Sequence, residues 1–215
     1  MEIVDIYKKF NIPPNLARHM LTVAKVVSFI QNRWHDYSAE IDWDILIKSA
    51  LLHDLGNVVK FDLEKFPEIL TNEGENVEYW KNIQKEMIGK YGRDDHAATG
   101  KMLTELKVND LVIQTILNKS FGRSKETAAG NNWYPKILLY ADLRVAPNGV
   151  EALEDRLEEL RKRSSHYSSR PDYPELVEAV RIIEKQIQEK VSIPLAEISN
   201  ESIRSITENF DNFNF

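Results

Sequence analysis

The stretch Ile45-Leu-Ile-Lys-Ser-Ala-Leu-Leu-His-Asp-Leu-Gly56 combines an apolar helical segment with two polar residues at its end. Asp42, just before it, is typical of a helix N-cap, and Gly56-Asn57 tolerates the left-handed conformation that ends many helices. The pattern therefore predicts a buried helix that stops at Gly56-Asn57 and carries His53 and Asp54 in its last turn. A carboxylate there is costly unless a cation or hydrogen-bond donors meet it, and it faces the unfavourable end of the helix dipole.

Helices are also predicted on both sides of this stretch. Leu16, Met20, Val23 and Ile30 recur at helical spacing over residues 15–34. The later segments are an irregular flap (60–76), a helix up to Gly92, short helices capped at Asp94 or Asp95 and at Asn109, a loop (119–132), an apolar helix (133–145) and two charged helices. Because no segment alternates apolar and polar residues as a strand does, the predicted fold class is all-α. We expect a compact helical bundle with a C-terminal helical hairpin packed on it.

The chain is predicted to form one globular unit. Residues 1–150 would form the bundle, and residues 151–208 would form C-terminal helices packed on the same unit. The tail, residues 209–215, mixes Asn and Asp with Phe. Such a tail either stays flexible or docks its rings on a neighbour, and we expect a flexible tail.

The composition limits the possible functions. The chain of 215 residues has no cysteine, which excludes disulfides, thiolate ligands and cysteine nucleophiles, so any metal must bind to His, Asp, Glu or backbone oxygen. The net charge of −6 disfavours nucleic acid and acidic membranes as partners. No stretch approaches the roughly 20 apolar residues of a membrane span, and we expect a cytoplasmic protein.

Two further polar residues interrupt predicted apolar helices. His19 shares a helical face with Leu16 and Val23 and should point inward. Asp142 lies within the apolar residues 137–145, where an unpaired carboxylate would be strongly destabilising. Each has a structural alternative: a hydrogen-bonded buried histidine, or an ion pair between Asp142 and a basic residue of a neighbouring helix. Neither residue alone distinguishes a functional site from a structural role.

In chain order, His19, His53-Asp54 and Asp142 resemble the H…HD…D signature of the HD superfamily of metal-dependent phosphohydrolases. The context is similar too, in Leu51-Leu-His-Asp-Leu-Gly56 and Tyr140-Ala-Asp-Leu-Arg144, and the resemblance spans residues 11–150. It implies a helical bundle in which these four residues bind one divalent metal ion, and Mn, Fe, Co, Ni, Zn or Mg would suit the ligands. It also implies that metal-activated water hydrolyses a phosphate ester or anhydride of a small molecule, such as a nucleotide. Asp54 would then both bind the metal and steer the proton of the water.

Some family members bind two metals through further histidines. His96 lies where the first would be expected, but Asn118-Lys119 stands where the second would be. The resemblance therefore favours one metal, with His96 either as an acid or hydrogen-bond donor facing the substrate or as a support for a ligand. Two alternatives stay open: a non-catalytic sensor of a nucleotide or metal, and a di-iron oxygenase, against which the missing histidine counts.

A phosphorylated substrate also needs cationic partners from the protein. The candidates are Lys60, Lys119, Arg123 and Arg144. Each could instead be a solvated charge. Arg144 interrupts an apolar helix near Asp142, but two residues turn a helix by roughly 200°, so Arg144 could equally form a salt bridge away from the site.

The sequence does not predict an oligomeric state. His35, His166 and the basic run 161–163 are expected on the surface.

Overall fold

Helices make up most of the computed structural model, which describes residues 1–36, 41–65, 70, 77–163, 168–207, 210, 213 and 215. The α-helices are α1 (Ile3–Lys9), α2 (Pro14–Gln31), α3 (Trp43–Leu52), α4 (Val77–Tyr91), α5 (Asp95–Leu106), α6 (Asp110–Asn118), α7 (Ser124–Ala129), α8 (Trp133–Leu143), α9 (Leu153–Arg163) and α10 (Tyr173–Gln188). Short 3-10 helices lie at Leu55–Lys60, Phe121–Arg123, Leu195–Glu197 and Ser202–Ser205. The predicted all-α fold class is confirmed.

The helices α2, α3, α6 and α8 pack against one another and surround the main core. Met20, Leu46, Leu51 and Leu138 are fully buried there, as their helical spacing predicted. The start of α3 is also as predicted, because the Asp42 side chain accepts hydrogen bonds from two backbone N–H groups of the first turn. These helices position the polar residues of the site.

The end of α3 differs from the prediction. The helix stops at Leu52, and the chain continues as the 3-10 helix Leu55–Lys60, while positive φ angles occur at Gly92 and Gly149 rather than at Gly56. A Cβ atom on Gly56 would lie only 2.3 Å from the carbonyl oxygen of Asp95 and 2.6 Å from the backbone nitrogen of Thr99. Gly56 is therefore needed for the close approach of α5 rather than for a left-handed cap.

Two helices form where none was predicted. In α1, Ile3 and Ile6 are buried, and the Tyr7 hydroxyl donates to the Leu51 carbonyl oxygen at 2.8 Å. Within the predicted loop 119–132, α7 packs on α10, and the Ser124 hydroxyl donates to the Leu176 carbonyl oxygen at 2.9 Å. Both helices are short, so tertiary contacts stabilise them more than helix propensity does.

A small antiparallel hairpin follows α8, where no strand was predicted. Its strands, β1 (Val145–Ala146) and β2 (Gly149–Val150), have two residues each. The Val150 N–H donates to the Asn200 side-chain oxygen at 2.8 Å, which attaches the hairpin to the C-terminal segment. Of the predicted flap 60–76, residues 66–69 and 71–76 lie outside the described residues.

The C-terminal helices α9 and α10 both contact α8, as expected for a covering hairpin. The described tail residues dock on the N-terminal segment, whereas a flexible tail was expected. Phe210 is buried, the Ile3 N–H donates to the Phe213 carbonyl oxygen at 3.0 Å, and the Phe215 N–H donates to that of Met1 at 3.2 Å. Residues 209, 211, 212 and 214 lie outside the described part. Within that part, no helix is sufficiently long and apolar to cross a bilayer.

Candidate metal centre

The four residues predicted as metal ligands come together between α2, α3 and α8. One ligand atom from each of His19, His53, Asp54 and Asp142 lies within 4.8 Å of the others. His19 Nε2 is 3.0 Å from Asp142 Oδ1 and 3.8 Å from Asp54 Oδ2. Residues that lie far apart in the sequence thus offer two nitrogens and two carboxylates to one point.

His53 gives the clearest indication of a metal. Its Nδ1 lies 2.8 Å from the Ala50 carbonyl oxygen, which can only accept, so Nδ1 carries a proton, and a neutral ring with this tautomer has its lone pair on Nε2. Nε2 is buried and makes no hydrogen bond to a described residue, yet it lies 3.3 Å from Asp142 Oδ1 and 3.5 Å from Asp54 Oδ1. A lone pair so close to two carboxylate oxygens is unfavourable unless a cation lies between them. The donor set therefore fits a metal ion.

The charges around the two carboxylates keep both of them ionised. Burial alone would raise the pKa of Asp54, but opposite charge nearby, including the Lys119 ammonium, outweighs it and lowers that pKa. Burial opposes ionisation of Asp142 too, and the charge of Lys119 lowers the pKa of Asp142 well below the ordinary value. Metal binding requires deprotonated ligands, so both residues are in the required state.

Lys119 has a role at the site that its prediction as a substrate contact did not include. It directly follows α6, and its Nζ lies 2.6 Å from Asp142 Oδ2 and 3.5 Å from Asp54 Oδ1. Burial would lower the pKa of Lys119, but Asp142 and Asp54 more than offset this and raise it. The available sequence signal was a lysine at the end of an apolar helix, at the position expected for a second-metal ligand.

His96 and Arg123 contact the end of α6. His96 is exposed, with its Nε2 3.0 Å from the Leu117 carbonyl oxygen, and it does not belong to the four-residue cluster. Arg123 Nη1 donates to the Asn118 side-chain oxygen at 2.7 Å. Both residues therefore support the segment that carries Lys119. The proposed acid role of His96 and the substrate contact of Arg123 stay predictions.

The other two predicted cations lie apart from the four ligands. Lys60 is half exposed and pairs with Asp95 on α5, and its substrate contact stays a prediction. Arg144 is only 2% exposed, and its guanidinium donates to the oxygens of Tyr140 Oη and of the backbone carbonyls of Glu151, Leu195 and Ile198. The prediction that Arg144 contacts the substrate is wrong, because its donors bind these oxygens and hold the C-terminal segment.

The residues expected on the surface agree with that expectation where they are described. His35 is exposed. Arg161 is exposed and pairs with Glu158 one helical turn away. His166 lies outside the described residues.

The cluster has a closed side and an open side. The His53 side chain is inaccessible to solvent, whereas the side chains of His19 and Asp142 are each 20% exposed and that of Asp54 is 17% exposed. Solvent therefore reaches the carboxylates and His19, while the His53 side chain closes the cluster on its buried side. Catalytic metal sites keep one coordination position open, whereas structural sites are closed, and the partly exposed cluster is similar to the former.

Comparison with known proteins agrees with this geometry. The family model described as HD domain matches residues 16–181, which include all four cluster residues and extend past the division predicted at residue 150. Ribonuclease Y of Mycoplasmoides gallisepticum is 32% identical over 107 residues, which cover 49% of this chain and 15% of that protein. The chain thus corresponds to a small part of this relative. No solved structure matches the chain.

Proposed function

We propose that this chain, which belongs to the HD domain family, is a metal-dependent phosphohydrolase that cleaves a phosphate ester or anhydride of a small molecule, with nucleotides as the first substrate class. Proteins of this family are generally metal-dependent phosphohydrolases, although some are not catalytic. The observation that carries the proposal is the buried, unbonded Nε2 of His53 beside two ionised carboxylates.

A divalent ion at this point would act as a Lewis acid on a phosphoryl oxygen and lower the pKa of water to about 7. The protein residues would have separate tasks. His19 and His53 would supply neutral nitrogens, and Asp54 and Asp142 would supply the negative charge that balances the ion. Lys119 contacts the two carboxylates, and its third N–H donor, for which the described residues offer no further ion pair, would bind a phosphoryl oxygen.

A second candidate is cleavage of an RNA phosphodiester, and the similarity to a protein named Ribonuclease Y favours it. The net charge of −6 counts against it, because binding to a polyanion depends mainly on basic groups that neutralise phosphates. A nucleotide presents the same phosphoryl chemistry to the cluster without the long charged backbone. We therefore place nucleotides before RNA.

The test is metal analysis followed by a substrate screen. The purified protein is stripped with a chelator, reloaded with Mn, Fe, Co, Ni, Zn or Mg, and assayed for release of phosphate or pyrophosphate from nucleotides and other phosphate esters and for fragmentation of a short RNA. His53→Ala and Asp54→Ala should lose bound metal and turnover together. The exposed His35→Ala is the matched control and should keep both.

The outcomes separate the alternatives. Unchanged metal content in His53→Ala or Asp54→Ala would show that the ligand set is wrong. Nucleotide binding without phosphate release by the metal-loaded protein would identify a sensor instead of an enzyme. Cleavage of RNA with no activity on nucleotides would favour the second candidate.

A further inference from the structure

Asp142 uses its two carboxylate oxygens for different neighbours. Oδ1 faces the histidines, 3.0 Å from His19 Nε2 and 3.3 Å from His53 Nε2. Oδ2 faces away from them, 2.6 Å from Lys119 Nζ. A metal ion on the histidine side would thus not have to displace the lysine.

Asp54 is shared too, but through one oxygen. Its Oδ2 lies 3.8 Å from His19 Nε2, and its Oδ1 lies 3.5 Å from both His53 Nε2 and Lys119 Nζ. Both carboxylates therefore border two positions for positive charge, one lined by the histidines and one filled by the ammonium. Two-metal sites have a similar layout, with two cations about 3.5–4 Å apart.

The ammonium is held in place from several directions. The Lys119 side chain is only 12% exposed, and its backbone N–H donates to the carbonyl oxygens of Thr115 and Ile116 at the end of α6. Arg123 and His96 bind Asn118 and Leu117, the two preceding residues. The lysine therefore belongs to the built structure of the site, whereas a surface lysine would move freely.

We propose that the Lys119 ammonium is a built-in second cation of this centre, which occupies the position of a second metal ion and limits the centre to one metal per chain. This inference rests on the proposed metal centre. Two carboxylates carry two negative charges, which one divalent ion would balance, and the ammonium adds one positive charge. A second divalent ion would have to displace the ammonium or bind beside it against the repulsion of like charges.

The test counts metal ions. Metal-stripped protein is titrated with Mn²⁺, bound Mn is measured by elemental analysis after removal of free ion, and coupling between two ions is sought by electron paramagnetic resonance. Wild type and Lys119→Arg, which keeps the charge, should saturate at one Mn per chain. Lys119→His, which exchanges the charge for a nitrogen ligand, should bind a second Mn and show the coupled signal.

Lys85→His is the matched control, because Lys85 is exposed on α4 and its replacement adds a histidine away from the centre. It should stay at one Mn per chain. If Lys119→His does not fold, Lys119→Ala supplies a second measurement, since loss of the like charge should strengthen binding of the first Mn by about tenfold or more.

Four results would overturn the proposal. Two Mn ions per wild-type chain would overturn it and leave the proposed function intact. A Lys119→His variant that stays at one Mn, or a Lys119→Ala variant with wild-type affinity, would do the same. A wild-type chain that binds no Mn or other divalent metal would overturn the proposed function as well.

Discussion

Two charged residues at the end of α8, Asp142 in its last turn and Arg144 directly after it, interrupt the same apolar sequence and have opposite surroundings. Arg144 donates to four oxygens, from Tyr140 Oη and three backbone carbonyls, and these fixed acceptors occupy its guanidinium. Asp142 lies among groups that the described residues satisfy only in part, including the buried, unbonded Nε2 of His53. Arg144 is thus a completed structural anchor, whereas the donor atoms around Asp142 fit a metal ion.

A buried charge does not by itself identify a functional site. Arg144 is buried more deeply than Asp142, but at Arg144 the hydrogen bonds are made, as is normal for buried polar groups. Around Asp142 two ionised carboxylates and a lone pair converge, which costs free energy that a ligand can recover. Substitutions of Asp142 should therefore affect metal binding, and substitutions of Arg144 should affect the free energy of unfolding.

The largest effect is expected from Asp142→Asn, which keeps the shape of the side chain and removes its charge. Metal affinity should fall by about 100-fold or more, beyond the losses seen when residues that merely support ligands are changed. Turnover should be lost with it. Thermal unfolding with and without Mn²⁺ provides the measurement, because a bound ion raises the melting temperature of wild type and should do so much less in the variant.

Wild-type metal affinity in Asp142→Asn would mean that Asp142 serves only as the ion-pair partner of Lys119. Asp142 and Arg144 would then both be structural residues.

The second-largest effect is expected at Arg144 and concerns the stability of the fold. Arg144→Met removes the donor from buried oxygens and should lower the free energy of unfolding by about 3 kcal/mol. Metal bound per folded chain should not change. Urea unfolding measures the stability, and Arg204→Met is the control, because Arg204 is exposed in the same C-terminal segment and should change stability by less than about 0.5 kcal/mol. A loss of metal by folded Arg144→Met would show that metal binding depends on the contacts of Arg144.

The smallest effect concerns the stability of the metal-stripped protein at different pH. Lys119 lowers the folded-state pKa of Asp142 below its ordinary value of 3.8 and also lowers that of Asp54, so its contribution is present above pH 3.8 and is lost as the pH falls further. Lys119→Met should thus be less stable than wild type by about 1–2 kcal/mol near pH 6, with a smaller difference near pH 3. Urea unfolding at several pH values measures this. A difference independent of pH would contradict the charge argument.

The sequence predicted the bundle and the four residues that cluster in it because the signals were local. Helical spacing placed His19 on a buried face, and Asp42 capped α3 as expected. His53 and Asp54 stood at the end of an apolar helix, where polar residues need an explanation. Their order along the chain then pointed to one family.

The remaining features depend on partners that are distant in the sequence. Arg144 binds carbonyl oxygens 51 and 54 residues away, and no spacing rule within a helix specifies such contacts. Tyr7 anchors α1 to a residue 44 positions away. The direction of the Lys119 side chain likewise depends on how α6 packs beside α3 and α8. These contacts arise when the helices assemble.

The close approach at Gly56 also has an evolutionary consequence. The Gly56 N–H donates to Thr99 Oγ1 at 3.0 Å, and a Cβ atom at position 56 would lie 2.6 Å from that same oxygen. The backbone of Asp95 and Thr99 lies just as close, so a smaller side chain at position 99 would not make room, and a relative with alanine at position 56 needs a displaced α5. Position 56 should therefore stay glycine in related sequences in which α5 packs this closely, and this would record packing beside the His-Asp pair independently of the metal chemistry.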